Sequence, residues 1–201
     1  MKAIVHKGEE GLAGVAYIDI NEPQVKGCEV KIKLKTAGLN HRDLFVLSRH
    51  SGVETPLVIG SDGAGIIEEI GEGVEGLAIG QEVVIIPSLR WREKSPAPPE
   101  DHEILGMPDN GTFAESIVIN AEQVSAKPKH LTWEEAGVLP LGALTAYRAM
   151  FTRGNLQAGQ TVFIPGAGSG VATFLVQMAK AAGARVSSVL EAQKKMKKPC
   201  S

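Results

Sequence analysis

The chain has 201 residues, 43% hydrophobic and 22% charged, with a formal net charge of −2. That composition suits an ordinary globular protein of one large or two smaller domains, and with no basic block ahead of the tail it does not call for nucleic acid as a partner. The longest apolar stretch near a strand core, Val83 to Ile86, stops at Pro87, far short of the roughly 20 apolar residues that span a bilayer, so no membrane partner is expected. The N-terminus, Met1-Lys2-Ala3-Ile4-Val5-His6, has no secretory apolar region and reads as a first strand. Two thiols as far apart as Cys28 and Cys200 suit a reducing compartment, and the cytoplasm is the expected location.

The first half of the chain reads as β. From Glu29 to Lys35, Val30, Ile32 and Leu34 alternate with Lys31, Lys33 and Lys35, the period of a half-buried strand. Gly60 to Ile70 is glycine-rich and then apolar, with Gly63 and Gly65 allowing close backbone approach. Gly71, Gly73, Gly76 and Gly80 punctuate turns before another strand at Val83 to Ile86. Ser88 to Gly111 holds Pro96, Pro98, Pro99 and Pro108 and reads as one long loop. Thr112 to Ile119 returns to strand.

The pattern changes near Pro128. Thr132 followed by Glu135 forms a capping box, opening a helix that leads into Ala136 to Phe151 with a kink or break at Pro140. A short strand follows at Gln160 to Pro165, then a glycine turn, Gly166 to Gly170. A second helix runs from Val171 to Ala182 and is capped by Gly183, and a further strand is expected over Ala184 to Leu190. This is a βαβ unit with its glycines at the first turn. The chain is therefore expected to hold a β module over residues 1–125, then the opening of a doubly wound α/β domain over residues 126–201.

The turn itself, Gly166-Ala167-Gly168-Ser169-Gly170-Val171, brings the unpaired N–H groups of a helix start beside small residues. Those donors and the helix dipole suit a pyrophosphate. It is not a strict G-x-G-x-x-G, since Val171 and Ala172 stand where a last glycine falls, and a plain βα connection accounts for the same residues.

Several ordered motifs carry a resemblance. They are Ala37-Gly38-Leu39-Asn40-His41-Arg42-Asp43, Gly60-Ser61-Asp62-Gly63-Ala64-Gly65, Gly111-Thr112-Phe113-Ala114-Glu115, Leu144-Thr145-Ala146-Tyr147, and the glycine turn. Through them the chain resembles the medium-chain dehydrogenase/reductase superfamily, on the side of the quinone oxidoreductases and the zinc-type alcohol dehydrogenase-like proteins. The resemblance implies a GroES-like β-barrel followed by a Rossmann domain, here incomplete, with the active site in the cleft between them. It implies NADPH, or NADH, as cofactor and a small molecule as substrate. By the same resemblance Asn40 contacts the nicotinamide or the substrate, Asp43 orients that loop, and Ser61 and Asp62 complete the catalytic set. Thr145 touches the nicotinamide side, and Gly166, Ala167, Gly168, Ser169, Gly170 and Val171 seat the cofactor. Asp43 as a helix-start acid and Thr145 as a helix-packing residue are the plainer readings of those two positions.

The departures from the zinc members are specific. Where they carry Cys and His, this chain has Asn40 and Ser61, so that of the ligand set only Asp62 remains. Ser88 to Gly111, the place of their structural zinc, contains no Cys, and structural sites want four soft ligands. His41, His50 and His102 are expected to be surface or locally bonded. Zinc is therefore not expected, and the chemistry left is hydride transfer to a quinone, enone or similar acceptor. Relatives place a Tyr near Phe45 or near His50 to Ser51, and none stands here. A complete doubly wound sheet has about six strands, and Ala126 to Ser201 suffices for two. With Ser187-Ser188 in the second strand and the run Lys194-Lys195-Met196-Lys197-Lys198 after it, a truncated or frameshifted product from about Ser187 is expected. Such a chain would be at best a feeble catalyst, and a complete one could form a homodimer. Either Leu190 or Glu191 could stand where an acid selects NAD. Two other functions stay open: a zinc-dependent alcohol dehydrogenase, and a non-catalytic GroES-like binding protein.

Overall fold

A computed structural model describes residues 1–53 and 55–189. The chain divides into two compact units, Met1–Leu141 and Gly142–Ser201. In chain order the strands of the first unit are β1 (Lys2–His6), β2 (Val15–Asp19), β3 (Glu29–Gly38), β4 (Leu57–Val58), β5 (Asp62–Ile70), β6 (Glu82–Ile85), β7 (Ser88–Leu89), β8 (Glu103–Ile104), β9 (Ser116–Asn120) and β10 (Val124–Ala126). They form a three-stranded sheet ordered β2-β1-β4, a five-stranded sheet ordered β10-β6-β5-β3-β9, and the small pair β7-β8. The ladders are antiparallel. β3 is the spine, paired with β5 on one edge and β9 on the other.

The alternation read in β3 is realised on its apolar side. Val30 and Ile32 are fully buried with Ile67, Val83, Ile85 and Ile117, each such side chain contributing about 1.5–3 kcal/mol on burial. On the other side Lys31 is a correction to the simple pattern. Its stem is buried, and its ammonium donates to Glu22 and to Glu69, both at 2.9 Å, because a buried charge is retained only where it is paired.

Ser88 to Gly111 is not one featureless loop, since β7 and β8 pair within it. His102 Nε2 lies 3.1 Å from Ser88 Oγ, and its ring stands edge-on to Trp91 at 5.0 Å. Trp91 Nε1 donates to Ser95 Oγ, and Arg90 Nε to the Asp101 carbonyl. At the end of this segment Gly111 runs against the backbone of Ile59 and Gly60. A β-carbon there would overlap the Gly60 carbonyl oxygen, and neither neighbour is a side chain that can swing away. Gly111→Ala should lower unfolding stability by about 1–3 kcal/mol, measured by chemical denaturation, and a midpoint equal to wild type would show that this approach is not tight.

The helical stretch from Thr132 is divided. Thr132 Oγ1 accepts from Glu135 N and Glu135 Oε2 accepts from Thr132 N, opening α2 (Trp133–Gly137). α2 ends before Pro140, which cannot continue a helix but suits the first position of the next. That next helix is α3 (Pro140–Tyr147), and a π-helical turn follows at Arg148–Arg153. α2 packs on β3 and β5: Thr36 Oγ1 donates to the Trp133 carbonyl at 2.6 Å, and Gly38 lets the Gly137 carbonyl approach. The compact first unit therefore extends through α2 to Leu141, beyond the β module expected over residues 1–125.

In the second unit β11 (Thr161–Pro165), α4 (Gly170–Ala181) and β12 (Arg185–Val189) form the βαβ unit, with β11 and β12 parallel. Pairing runs through Ser187 and Ser188, opposite Phe163 and Ile164. Met150, Ile164, Ala172 and Ala179 make its core. Gly183, at φ 75°, follows the helix end, a backbone that favours glycine. Leu190, Glu191 and the lysine run lie outside the described residues. Among the described residues no helix is long and apolar enough to cross a membrane.

Candidate functional site

The first unit gathers Asn40, Asp43, Ser61 and Asp62 around the start of one helix, α1 (His41–Arg49). Asn40 is its N-cap in extended conformation, and its backbone N–H donates to Asp43 Oδ2 at 2.7 Å. Asp43 is thus both a helix-start acid and the group that fixes Asn40. Its other carboxylate oxygen is buried without a partner, and burial pushes its pKa up.

Asp62 opens β5 and is 1% exposed. Its Oδ2 accepts from Asn40 Nδ2 at 2.9 Å and its Oδ1 from the backbone N–H of Leu141 at 2.7 Å. Thr112 Oγ1 donates to the Asp62 carbonyl, locking the strand start. Burial pushes the Asp62 carboxyl up to about 6, against the opposing pull of the bonds from Asn40 and Leu141, while neighbouring Asp43 adds a smaller push.

Ser61 faces the other way. Its hydroxyl donates to the Leu105 carbonyl at 2.7 Å and accepts from Arg42 Nη1 at 3.2 Å. Arg42 also donates to the carbonyls of Ile104, Leu105 and Met107. It thereby ties α1 to the β8 end of the Ser88 to Gly111 segment. Arg42 stands inside the Asn40 to Asp43 motif, yet its role is not evident from the motif. Its signal is chemical: a guanidinium offers five donors in a fixed fork, which suits it to several carbonyls at once. Leu39, Leu44 and Phe45 are exposed beside this cluster.

Of the histidines, His41 stands edge-on to Phe45 and His102 is bonded within its lobe. Of the two expectations, surface or locally bonded, His50 is not at the surface, being 6% exposed, and it is bonded to His6. Among the described residues no group of three or more His, Cys, Asp or Glu is placed to hold a metal ion. At the two positions that the resemblance sets against zinc ligands, Asn40 donates its amide N–H to Asp62 and Ser61 its hydroxyl to the Leu105 carbonyl.

Thr145 lies in the second unit, on an exposed face of α3. So does the glycine turn. Gly166 has φ 66°. Ser169 caps α4, its Oγ accepting from Ala172 N at 3.3 Å, and its own N–H donates to the Gly166 carbonyl. The first N–H groups of a helix have no internal partner, and those of Gly170 and Val171 head α4. β-carbons at Gly166, Gly168 and Gly170 would meet nothing within 4 Å. Small residues, open space and a helix start together fit a dinucleotide pyrophosphate. A cavity of about 880 Å³ in the same unit is lined by β11, Met150, Leu156, Val171 and Leu175, but not by the turn glycines, so it flanks the turn.

Comparison with known proteins places these features. Residues 26–129 match the alcohol dehydrogenase GroES-like domain. A zinc-type alcohol dehydrogenase-like protein of Schizosaccharomyces pombe is 35% identical over 98% of this chain and 58% of its own length. An acryloyl-coenzyme A reductase of Metallosphaera sedula is 32% identical over 97% of this chain and 60% of its own. The crystal structure of an NAD-dependent alcohol dehydrogenase superposes with a TM-score of 0.88 at 35% identity, covering 97% of this chain and 59% of that one. The chain thus spans about three-fifths of the length of these relatives. With a GroES-like β-barrel followed by the β11-α4-β12 opening of a Rossmann domain, it belongs to the medium-chain dehydrogenase/reductase superfamily of oxidoreductases.

Proposed function

We propose that this chain serves an NAD(P)H-dependent reductase that works without catalytic zinc. Its acceptor is a double bond already polarised by conjugation to a carbonyl: a quinone, an enone or an unsaturated thioester. The observation that carries this reading is the mutual bonding of Asn40, Asp62 and the Leu141 N–H. Where a zinc member needs a thiolate and an imidazole, this chain has an amide and a hydroxyl committed to a hydrogen-bond network, and neither is a good zinc ligand. The similarity to an acryloyl-coenzyme A reductase supports the unsaturated-thioester class.

A reduced nicotinamide dinucleotide, when bound, supplies the hydride. The residues supply position. The turn from Gly166 to Val171 seats the pyrophosphate at the head of α4, and Thr145 contacts the nicotinamide side. Asn40 contacts the nicotinamide or the acceptor, with its backbone held by Asp43 and its amide by Asp62. Ser61 acts through Arg42 and Leu105, and positions the loop rather than donating a proton. The acceptor is a small molecule, and the cytoplasm is its compartment.

The name of the S. pombe relative favours a second reading, a zinc-dependent alcohol dehydrogenase. Elemental analysis of the purified chain separates the two. Zinc well below stoichiometry is expected, and about one bound zinc per chain would establish the second reading. Loss of reduced-nicotinamide absorbance in the presence of an enone, quinone or unsaturated thioester tests the reaction itself. Titration with NADPH and NADH side by side tests the cofactor. Failure to bind either would leave a GroES-like binding protein.

A further inference from the structure

His6 and His50 stand outside the network just described. His6, on β1, has no exposed surface, and His50 caps the C-terminal end of α1. Their Nδ1 atoms lie 2.9 Å apart, with the rings steeply inclined to one another. Two Nδ1 atoms at that distance share one proton, so one ring donates and the other accepts. His50 also hydrogen-bonds the backbone at Thr55 in a way that favours its protonated form. With Nδ1 taken by His6, the donor to Thr55 is Nε2–H. His50 is then the acceptor in the pair, and His6 is the Nδ1–H tautomer. This assignment accounts for His6 Nε2, which is buried without a partner. It carries a lone pair, and an unmet acceptor is tolerated better than an unmet donor. Gly14 permits the fit, since a β-carbon there would stand 2.6 Å from that nitrogen.

A further proton has no good place. On His6 Nε2 it would find no hydrogen-bond partner, and on His50 Nδ1 it would face the Nδ1–H of His6. Among the described residues, the surrounding elements offer no counter-charge. β2 and β4 place Val15 and Leu57 opposite His6. Lys7, Glu9, Glu10 and Arg49 are exposed. On α1, Arg42 is spent on the Ile104, Leu105 and Met107 carbonyls and Asp43 on Asn40. The turn after His50 is held by a second contact to the segment just after β1: Gly52 N donates to the Gly8 carbonyl at 2.8 Å, and the Val53 backbone lies against Gly8.

We propose that the His6–His50 pair is an acid-operated latch, which in its neutral form clamps the end of α1 and the following turn onto β1. The helix it clamps carries Asn40 and Asp43 at its other end, so opening the latch loosens the site from behind. The latch itself does not depend on the proposed reaction. Burial, and then the neighbouring His6, hold the His50 pKa below its ordinary value. The stability contributed by a group lowered in this way is present above the ordinary value of about 6.5 and is lost as pH falls through the folded one.

Amide exchange and histidine side-chain NMR on the whole chain test this, with His50→Gln as the non-titrating mimic. Glutamine offers an oxygen to His6 and an N–H to Thr55. Between about pH 7.5 and pH 5.5, protection of the Gly52 and Val53 amides, corrected for intrinsic exchange, should fall by about tenfold or more in the wild type and stay flat in His50→Gln. If that variant does not fold, the wild-type spectra still decide. A mixed pair of tautomers, with His50 titrating below the ordinary value, supports the latch. His50 titrating at the ordinary value, unchanged wild-type amide protection, or the same acid loss in His50→Gln would overturn it.

Discussion

Gly168→Asp should abolish binding of NADPH and NADH to this chain while leaving its fold intact. The turn is open at this position. A β-carbon on Gly168 meets nothing within 4 Å, and its backbone lies outside the left-handed region. An aspartate therefore fits without steric cost, but it sets a carboxylate at the head of α4, where the helix dipole and the free N–H groups would otherwise receive a pyrophosphate. Like charges brought together at a binding site cost several kcal/mol, so affinity should fall by about a hundredfold or more. Gly168→Ala adds volume without charge and should bind almost normally. Gly166→Ala behaves differently, because φ is 66° there and a β-carbon in that conformation costs about 1–2 kcal/mol, so its loss appears in stability. Calorimetric titration with both nucleotides and with ADP-ribose, beside thermal melts, reads all three. Unchanged affinity in Gly168→Asp would show that the turn is an ordinary βα connection.

That turn was legible because its signals are local. Thr132 with Glu135 announces a cap, Pro140 a break, and Gly166 to Gly170 a reversal, each within a few residues of the backbone it governs. The alternation in β3 was legible for the same reason, except at Lys31, whose burial depends on Glu22 and Glu69 from separate segments. The candidate site was half legible. Motif spacing picks out Asn40, Asp43, Ser61 and Asp62, yet what each does is decided by partners far along the chain. Asp62 takes a backbone N–H from Leu141, 79 residues on, and a backbone donor has no residue type to betray it. Arg42 finds three carbonyls about 60 residues away, and His6 meets His50 across 44. Such pairings are products of topology, and no periodicity in the sequence encodes them.

Asp62→Asn is the substitution that separates the site's chemistry from its stability. In the wild type both carboxylate oxygens are acceptors, one for Asn40 Nδ2 and one for the Leu141 N–H. Asparagine keeps a single acceptor. If its oxygen stays on Leu141, its amide N–H₂ faces Asn40, which must turn its own oxygen inward and its N–H₂ outward. The fold survives, but the group that Asn40 presents is reversed, and turnover should fall on the order of a hundredfold, as when one aligned donor or acceptor is lost from a reaction site. Asp62→Leu cannot make this exchange. It removes both acceptors from a partly buried network, at about 1–3 kcal/mol per lost bond, so it should unfold markedly more easily. The pH dependence carries the opposite sign to that of the latch. The Asp62 carboxyl is raised in the folded chain from 3.8 to about 6, so the stability it contributes is fully present below about 3.8 and is lost as pH rises through about 6. The wild type should therefore gain up to about 3 kcal/mol from this group on going from neutral pH to about pH 4, and Asp62→Asn should not. Subtracting the two stability curves cancels the contribution of His50, which both proteins share. Equal curves would mean that the carboxyl titrates at its ordinary value. Unchanged turnover in a folded Asp62→Asn would mean that the amide of Asn40 is not what the acceptor or the nicotinamide meets.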